Sequence, residues 1–477
     1  MSLLSRLSPR VLATALAVAV GALLLWLVAG VGFVNYDTLY GLAWGGQLSR
    51  GSLPAYEVAI APTPHPLVEA IGVVLAPLGA HGAIAVTVAL AFLALAGCAW
   101  VIYALGSRWF GRAAGALAAL IFITRVPVLS YGVRAYVDIP YLLLVLGAVL
   151  VEMRWPRAAR PVPVLALLAL AGLLRPEAWA FSGLYWLYLL HLGGRSRAQL
   201  VRLALLAAAA PLVWVLSDLL ITGKPLWSLT NTRHTAEILD RYTGIGNVPE
   251  YIPRRIGEIL RPPVLVGAAL GGVLSLLWLR ERARPAAVVG AIAVVVFAAF
   301  ATVGLPIDTR YAFLAAAILC VFCGVGVFGW TLLPHGDRRR RWWKAGGLIV
   351  LVGLIAYIPS QYRAVHGEMG KLARVQAIEG DLVALVRAHA IGLECGPVGV
   401  PNHAPIPLLS LYLKTSPANI VSAQVHEIER GVYVDPASTE VEEDYVLDPR
   451  DPHLPVSVPP GFQESATNSS WLIFKRC

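Results

Sequence analysis

Long apolar runs alternate with short polar segments from residue 11 to about residue 360. A helix rises 1.5 Å per residue, so roughly 20 apolar residues are needed to cross about 30 Å of hydrocarbon. On this pattern, eleven spans are predicted at 11–34, 82–105, 113–130, 138–153, 161–174, 177–192, 200–221, 264–280, 286–304, 310–333 and 345–360. The first run is longer than the apolar core of a signal peptide, so we expect it to be retained. The pattern predicts a polytopic α-helical membrane protein.

The basic residues lie in clusters between the apolar runs, as is typical of the cytoplasmic loops of membrane proteins. These clusters are Arg6 and Arg10; Arg108 and Arg112; Arg154, Arg157 and Arg160; Arg195, Arg197 and Arg202; Arg280, Arg282 and Arg284; and Arg338–Arg341 with Lys344. With the clusters inside, eleven crossings of the cell (inner) membrane place the N-terminus in the cytoplasm and the tail outside. The outer loop 222–262 also carries basic residues, which longer translocated loops tolerate.

Composition agrees with a membrane location, because 58% of the residues are hydrophobic and only 14% are charged. Soluble domains carry roughly 25% charged residues. A net charge of +10 would suit a nucleic-acid partner, but the basic residues are dispersed among loops and do not form one face. We therefore expect membrane lipid, and no nucleic acid, as a partner. The chain also lacks a P-loop and a dinucleotide-binding fingerprint.

The composition changes to that of a soluble domain at Gln361. We therefore predict a membrane domain at 1–360 and a small extracytoplasmic α/β domain at 361–477. Its predicted helices are 363–390 and 407–413, and its predicted strands are 397–400, 420–421, 432–434, 445–447 and 470–475. Cys395 and Cys477 lie in this oxidising location and are candidates for a disulfide, although the sequence leaves their separation open.

Asp37 is the first candidate for chemistry, because it follows the first apolar run and is flanked by Tyr36 and Tyr40. A carboxylate at the membrane surface is costly unless it is hydrated or paired, so it is a functional candidate by default. It can take a proton from an acceptor hydroxyl as a general base. Alternatively, Asp37 caps the local amides at a helix end, and the two tyrosines anchor the chain at the interface.

Asp138 is a second carboxylate on the predicted outer side, four residues after Arg134. It is either a helix cap or ion-pair partner, or a group that orients an acceptor or binds a metal. Glu57 and His65, both in the first outer loop, are candidates to join Asp138 as ligands of a divalent metal ion. His65 stands between two prolines, so a structural role is the alternative.

Three arginines, Arg134, Arg175 and Arg310, are predicted at the outer boundary of the membrane. Guanidinium groups suit phosphate oxygens, although these residues can equally reach lipid headgroups or pair with Glu177 and Asp308. The segment 251–261 has an apolar helical face opposite Arg254 and Arg255, and is predicted to be an interfacial helix suited to anionic lipid. His403, in the tail, is interpreted as an ordinary loop residue.

Several of these positions fall in short motifs that resemble a known family. The first loop has D-x-x-Y at Asp37–Tyr40, G-x-x-P at Gly51–Pro54 and P-x-P-L at Pro64–Leu67. Further matches are Asp138-Ile139-Pro140, Leu174-Arg175-Pro176-Glu177 and Arg310-Tyr311. Over about residues 5–360 the layout resembles the GT-C superfamily of polyprenyl-phosphate-sugar-dependent glycosyltransferases. Bacterial mannosyl- and arabinosyltransferases, aminoarabinose transferases and protein O-mannosyltransferases belong to it.

The resemblance implies transfer of a sugar from a polyprenyl-phosphate donor to a hydroxyl of an envelope glycan, lipid or protein, on the outer face and with inversion. Asp37 matches the position of the family's general base. The residues expected to bind substrate are Tyr40, His65, Arg134, Asp138, Arg175, Glu177, Arg254, Arg255, Arg310 and Tyr311. Many members have a second acidic residue near the first, some with a divalent metal. Residue 38 is Thr here, which leaves metal dependence open.

Two other function classes fit parts of the sequence. A transporter or lipid flippase would also combine buried charges with broken helices, but it would be expected to show repeat-related halves and charges deep within several spans. Here the charges gather at one surface, and no internal repeat is evident. A cell-wall scaffold would need only the tail to bind glycan.

Overall fold

The computed structural model describes residues 9–447 and 457–477. Helices dominate up to residue 387, as the apolar runs predict. They are α1 Pro9–Ala29, α2 Tyr36–Ser49, α3 Pro66–Leu75, α4 Gly79–Phe110, α5 Arg112–Ile123, α6 Val126–Val133, α7 Asp138–Arg154, α8 Pro161–Gly172, α9 Glu177–Leu192, α10 Arg197–Thr222, α11 Trp227–Ile238, α12 Val248–Trp278, α13 Arg280–Thr302, α14 Phe313–Phe328 and α15 Arg338–Arg387. The polytopic helical class is confirmed.

A helix occupies each of the eleven predicted spans, but fewer are long enough to cross a membrane. Within the described residues, seven helices are sufficiently long and apolar, or eight if the bent pair of α5 and α6 counts as one. By length and composition, the described residues therefore hold seven or eight candidate crossings, where the sequence pattern predicted eleven. α7, α8 and α9 have 17, 12 and 16 residues, fewer than the roughly 20 of an ordinary transmembrane helix. Basic clusters at their ends made these short apolar runs resemble complete spans.

Two breaks in the helices have the same local cause. α5 and α6 meet at 64° where Pro127 prevents the first helix from continuing. Within α12, Arg261 has a φ of 63° immediately before Pro262 and Pro263. The buried Arg125 lies between the breaks and donates hydrogen bonds to the carbonyls of Ile121 and Leu260, at 3.0 and 3.4 Å. These bonds satisfy carbonyls that the interrupted helices leave without a partner.

The tail forms the predicted α/β arrangement. Its described strands are β1 Val398–Val400, β2 Ile420–Ser422, β3 Gly431–Pro436, β4 Gln463–Thr467 and β5 Trp471–Arg476, with α16 at Ile406–Leu413. The strand order is β2-β1-β3-β5-β4, with β1 parallel to β2 and β3, and β5 antiparallel to β3 and β4. The predicted strand at 445–447 is wrong, because Glu442–Val446 is a helical turn. The division at residue 360 stays a prediction, and α15 passes through it unbroken.

The tail packs directly on the membrane helices. One apolar cluster contains Tyr40 and Trp44 of α2 together with Leu409 of α16 and Trp471 of β5. The amide of Gln47 adds a hydrogen bond to the hydroxyl of Ser416, at 3.2 Å. α2 is therefore held between the bundle and the tail, which fixes the position of its N-terminal turn.

Cys395 and Cys477 form a disulfide, with Cα atoms 4.8 Å apart and a sequence separation of 82. It joins the end of β5 to the segment before β1. Cys477→Ser is expected to reduce the opening free energy of residues 395–477 by about 2–4 kcal/mol, because it removes the closure of a long loop. Hydrogen exchange of the full chain in detergent measures this change. Reductant should produce the same loss in wild type and none in the variant; an equal response of both would contradict the prediction.

Candidate active site

A cavity of about 420 Å³ lies where the N-terminal ends of α2 and α9 approach the tail. Its walls come from the start of α2, the loop 60–65, the link between α6 and α7, the corner at residues 175–177, α11 and the loop 305–311. His403, Ala404 and residues 445–447 of the tail complete the lining. Segments distant in sequence thus enclose one space at one end of the helix bundle.

Asp37 faces this cavity from the first turn of α2. Asn35 caps the helix, because its side-chain oxygen accepts from the backbone N–H groups of Asp37 and Thr38, at 2.8 and 3.3 Å. The cap leaves the Asp37 carboxylate free for another partner. Asp37 Oδ2 accepts a hydrogen bond from Arg310 Nη1 at 3.0 Å, and 20% of the Asp37 side chain is exposed. Asp37 is therefore a paired carboxylate that substrate can reach.

Arg310 lies among three carboxylates. Besides Asp37, Asp138 Oδ2 lies 4.0 Å from its Nη1, and Asp308 Oδ2 lies 3.8 Å from its Nε. The guanidinium is also 5.4 Å from the ring centroid of Tyr311. Arg310 is held by several contacts at moderate distances, so it can bind an anion in the cavity without losing all of its partners.

Arg175 lies at the buried bottom of the cavity. It makes an ion pair with Asp138, the first residue of α7, and another with Glu177, the first residue of α9, whose Oε1 lies 2.5 Å from Nη2. Its guanidinium packs 4.1 Å from the ring centroid of Tyr311. Asp138 is only 1% exposed. The three groups join two helix starts, and Arg175 neutralises charges that burial would otherwise make costly.

Two further arginines, Arg134 and Arg241, line the cavity. Arg134 donates to the carbonyl and hydroxyl of Ser130, at 3.2 and 3.0 Å, and no carboxylate of the described residues pairs with it. Arg241 Nη1 lies 3.6 Å from Asp308 Oδ2. The lining contains four arginines and three carboxylates, and Asp138, paired with Arg175, adds a fourth carboxylate. Arg134 is the lining arginine that no described carboxylate pairs with, so it is the one most available to an anionic ligand.

His65 also lines the cavity, at the residue before α3. Its side chain is buried, and burial lowers its pKa to about 4; nearby Asp37 opposes this shift, while Arg175 and Arg310 add to it. The imidazole is therefore neutral at pH 7. No hydrogen-bond partner of Nδ1 is found in the part of the chain that the structure describes. His65 therefore adds no positive charge to the cavity lining.

Tyr40 does not line the cavity, contrary to the prediction that it binds substrate. It has 0% exposure and packs between Tyr36 and Trp44, each with ring centroids 5.0 Å away. Tyr40 lies one helical turn after Tyr36, about 5.4 Å farther along the axis of α2. Its ring therefore packs in the apolar cluster beneath the tail. Tyr36 occupies the cavity wall instead.

Arg254 and Arg255 also lie outside the cavity lining. Arg255 pairs with Glu258 at 2.9 Å and donates to the carbonyl of Ile307 at 3.0 Å, which supports the loop that carries Arg310. Arg254 is exposed, 3.4 Å from Glu258. The segment 251–261 forms part of α12, and Ile259 and Leu260 of its apolar face are buried against protein. Its place at the membrane surface stays a prediction.

The predicted metal ligands do not come together. Among the described residues, no group of three or more His, Cys, Asp or Glu side chains is placed to hold a metal ion. Glu57 lines a different pocket, next to β2, and Asp138 is occupied by Arg175. Glu57, His65 and Asp138 therefore do not fit a shared divalent ion.

The tail contributes a residue that the sequence interpretation missed. His403 lines the cavity, and its ring contacts Tyr36 edge-on with centroids 5.4 Å apart. Its backbone N–H donates to Gln424 at 3.1 Å. No local motif marks His403, since it follows Tyr36 by hundreds of residues. Arg241 was likewise counted only as a tolerated loop charge.

The whole chain resembles solved structures of membrane enzymes. ArnT from Cupriavidus metallidurans bound to undecaprenyl phosphate superposes with a TM-score of 0.57 at 17% identity, covering 97% of both chains. The archaeal oligosaccharyltransferase AglB from Archaeoglobus fulgidus, in complex with an inhibitory peptide and a dolichol-phosphate, gives a TM-score of 0.51 at 12% identity. That match covers 92% of this chain and 70% of AglB. The chain has the GT-C fold. No family model and no curated protein matches its sequence.

The GT-C fold confirms the fold expected from the motifs between Asp37 and Tyr311. In this GT-C chain, Asp37, His65, Arg134, Arg175, Glu177, Arg310 and Tyr311 all line one cavity. Asp138 does not line the cavity, but it forms an ion pair with Arg175, which does. Tyr40, Glu57, Arg254 and Arg255 lie elsewhere.

Proposed function

We propose that this chain is a membrane glycosyltransferase that transfers a sugar from a polyprenyl-phosphate donor to an acceptor hydroxyl with inversion. The observation that carries the proposal is the contact between Asp37 and Arg310, which are 273 residues apart in sequence and meet in the cavity. A carboxylate beside an arginine provides a base for an alcohol and a counter-charge for a phosphate.

The arginines favour a lipid-linked phosphate as donor. Arg310 would bind a phosphate oxygen, with Arg134 and Arg241 close to the same space. Two proteins of this fold have been crystallised or imaged with undecaprenyl phosphate and with a dolichol-phosphate. Polyprenyl phosphate paired with arginine is a good leaving group, so the transfer needs no nucleotide-binding loop.

The reaction begins with the Asp37 carboxylate in contact with Arg310. When donor phosphate engages Arg310, that contact weakens and Asp37 becomes available to the acceptor. Asp37 takes the hydroxyl proton, and the acceptor oxygen attacks the anomeric carbon from the face opposite the phosphate. The bond from that carbon to the phosphate oxygen breaks, and polyprenyl phosphate leaves with the electron pair.

The remaining residues would position the two substrates. Neutral His65 can hydrogen-bond a sugar hydroxyl, and Arg175 keeps Asp138 and Glu177 neutralised below the cavity. His403 and residues 445–447 lie on the tail side, where an envelope glycan, lipid or protein would approach. With the N-terminus in the cytoplasm, this side of the membrane is the outer one.

The proposal is tested by incubating purified protein with a panel of radiolabelled polyprenyl-phosphate sugars and envelope extract as acceptor. Label is expected to leave the lipid phase and appear in an acceptor product for at least one donor. Donor that crosses a vesicle membrane unchanged, with no label transferred, would instead support a flippase.

Arg310→Met is expected to raise the KM for donor by roughly 10- to 150-fold, because a hydrogen bond to a charged group contributes about 1.5–3 kcal/mol. Initial rates over a range of donor concentrations measure the effect. Arg254→Met is the matched control, since Arg254 is exposed outside the cavity. Equal KM values for the two variants would contradict a role of Arg310 in donor binding.

A further inference from the structure

A second, basic pocket lies at the end of the bundle farthest from the cavity. α9 begins in the cavity at Glu177 and ends at Leu192 after 16 residues, which separates its ends by roughly 24 Å. At the far end, a pocket of about 540 Å³ lies between the α7–α8 link, the end of α9 and the start of α10. Neither its position nor its residues overlap with the proposed active site.

The pocket has an unbalanced positive charge. Arg157, Arg160, Arg195 and Arg202 line it, and the lining contains no carboxylate. Arg160 pairs with Glu152 at 2.8 Å, whereas the other three have no ion-pair partner within residues 9–447 and 457–477. Convergent guanidinium groups of this kind favour a ligand that carries phosphate.

The link between α9 and α10 keeps the pocket open. Gly193 and Gly194 have φ values of 64° and 73°, a conformation that favours glycine. No neighbouring atom lies within 4 Å of where a Cβ would stand at either position. The chain therefore turns tightly here and leaves space between the arginines for a headgroup.

The residues at the rim of the pocket favour a lipid over a soluble anion as its ligand. Val162 and Leu192 line it and are 58% and 42% exposed. Val201 and Leu205 on the adjoining turns of α10 are also exposed. In a polytopic membrane protein these apolar side chains face acyl chains, so the arginines lie at the level of the headgroups. An amphiphile would use both surfaces, whereas inorganic phosphate would use only the charge.

We infer that this pocket binds the phosphate headgroup of an anionic phospholipid in the leaflet opposite the cavity. The inference does not depend on the proposed transferase activity. Basic pockets between helix ends bind such headgroups, and each arginine near the surface strengthens the attraction.

The test compares lipid binding by wild type, Arg195→Gln/Arg202→Gln and Arg280→Gln/Arg282→Gln. The last variant is a matched control, because it removes the same charge from exposed residues at the same end of the bundle, where Glu281 already pairs with Arg284. Native mass spectrometry of the full chain in detergent, with phosphatidylglycerol or phosphatidylcholine, gives the affinities. Size-exclusion chromatography checks that each variant is folded.

Wild type and the control are expected to prefer phosphatidylglycerol, and the pocket variant is expected to bind it roughly 30-fold more weakly. An equal loss in the control would mean non-specific charge attraction and would overturn the inference, as would unchanged binding by the pocket variant. Millimolar inorganic phosphate is expected to leave bound phosphatidylglycerol in place. Its displacement would identify a soluble-anion site and would also overturn the lipid assignment.

Discussion

Asp37→Asn is expected to reduce the rate of sugar transfer by roughly 10²–10⁴-fold, the usual contribution of a general base. The amide keeps the size of the side chain and can still contact the cavity, but it cannot accept the acceptor's proton. Initial rates of label transfer at saturating donor measure the loss in kcat. Because Asn can still serve in the first turn of α2, we expect the variant to fold.

Glu57→Gln provides the control for this substitution. Glu57 lies in the loop between α2 and α3 and loses the same charge, but it is exposed and lines another pocket. Its rate should equal that of wild type. If both variants lost activity equally, the loss would come from changed loop charge and Asp37 would not be the base.

The kinetic constants also separate two roles of Asp37. A base changes kcat and leaves donor affinity similar, whereas a residue that only positions Arg310 changes the KM for donor. Asp37→Asn is therefore expected to lower kcat at nearly unchanged KM. Arg310→Met should instead raise the KM for donor, and it should also lower kcat because Arg310 neutralises the leaving phosphate. The KM for donor therefore distinguishes the two variants.

Arg175→Met is expected to have the largest effect on stability, lowering the free energy of unfolding by about 3–5 kcal/mol. Methionine fills much of the volume but leaves the carboxylates of Asp138 and Glu177 buried without their cation. Unfolding in mixed detergent micelles, followed by tryptophan fluorescence, measures the change. Arg254→Met, at an exposed position, should change the free energy by less than about 1 kcal/mol.

A double variant tests the cause of that loss. Arg175→Met/Asp138→Asn removes one of the two charges that the single variant strands, so part of the lost stability should return. The coupling between neighbouring sites is typically about 0.5–3 kcal/mol. If the double variant were as unstable as the sum of the single variants, the ion pair would not explain the effect.

The apolar runs of the sequence located the long helices of the bundle, because hydrocarbon selects helices whose backbone groups bond internally. They did not locate α2 or α11, which lie in segments predicted to be outer loops. They did not separate full crossings from short ones. α8, for example, has only 12 residues, but its neighbours supply the protein surface that such a short helix needs. How long a helix must be depends on how it packs against other helices. The apolar pattern of a single run carries no information on that packing.

The candidate site was predictable where a charged residue stands at a helix start. The predicted spans that begin at residues 138 and 177 placed Asp138 and Glu177 at helix starts. Asp37, which the sequence interpretation placed after the first apolar run, lies in the first turn of α2. Pairing was not predictable, since Arg310 reaches Asp37 only through the packing of the intervening helices. The direction of Tyr40 into the core, and the approach of His403 from the tail, depend equally on tertiary contacts.

The most direct measurement is a single-turnover assay with radiolabelled polyprenyl-phosphate sugar, in which bound donor and transferred label are counted in the same samples. Wild type is expected to bind donor and transfer its label to acceptor, while Asp37→Asn binds the same donor and retains the label on the lipid. Transfer by Asp37→Asn at the wild-type rate would contradict the assignment of Asp37 as the general base.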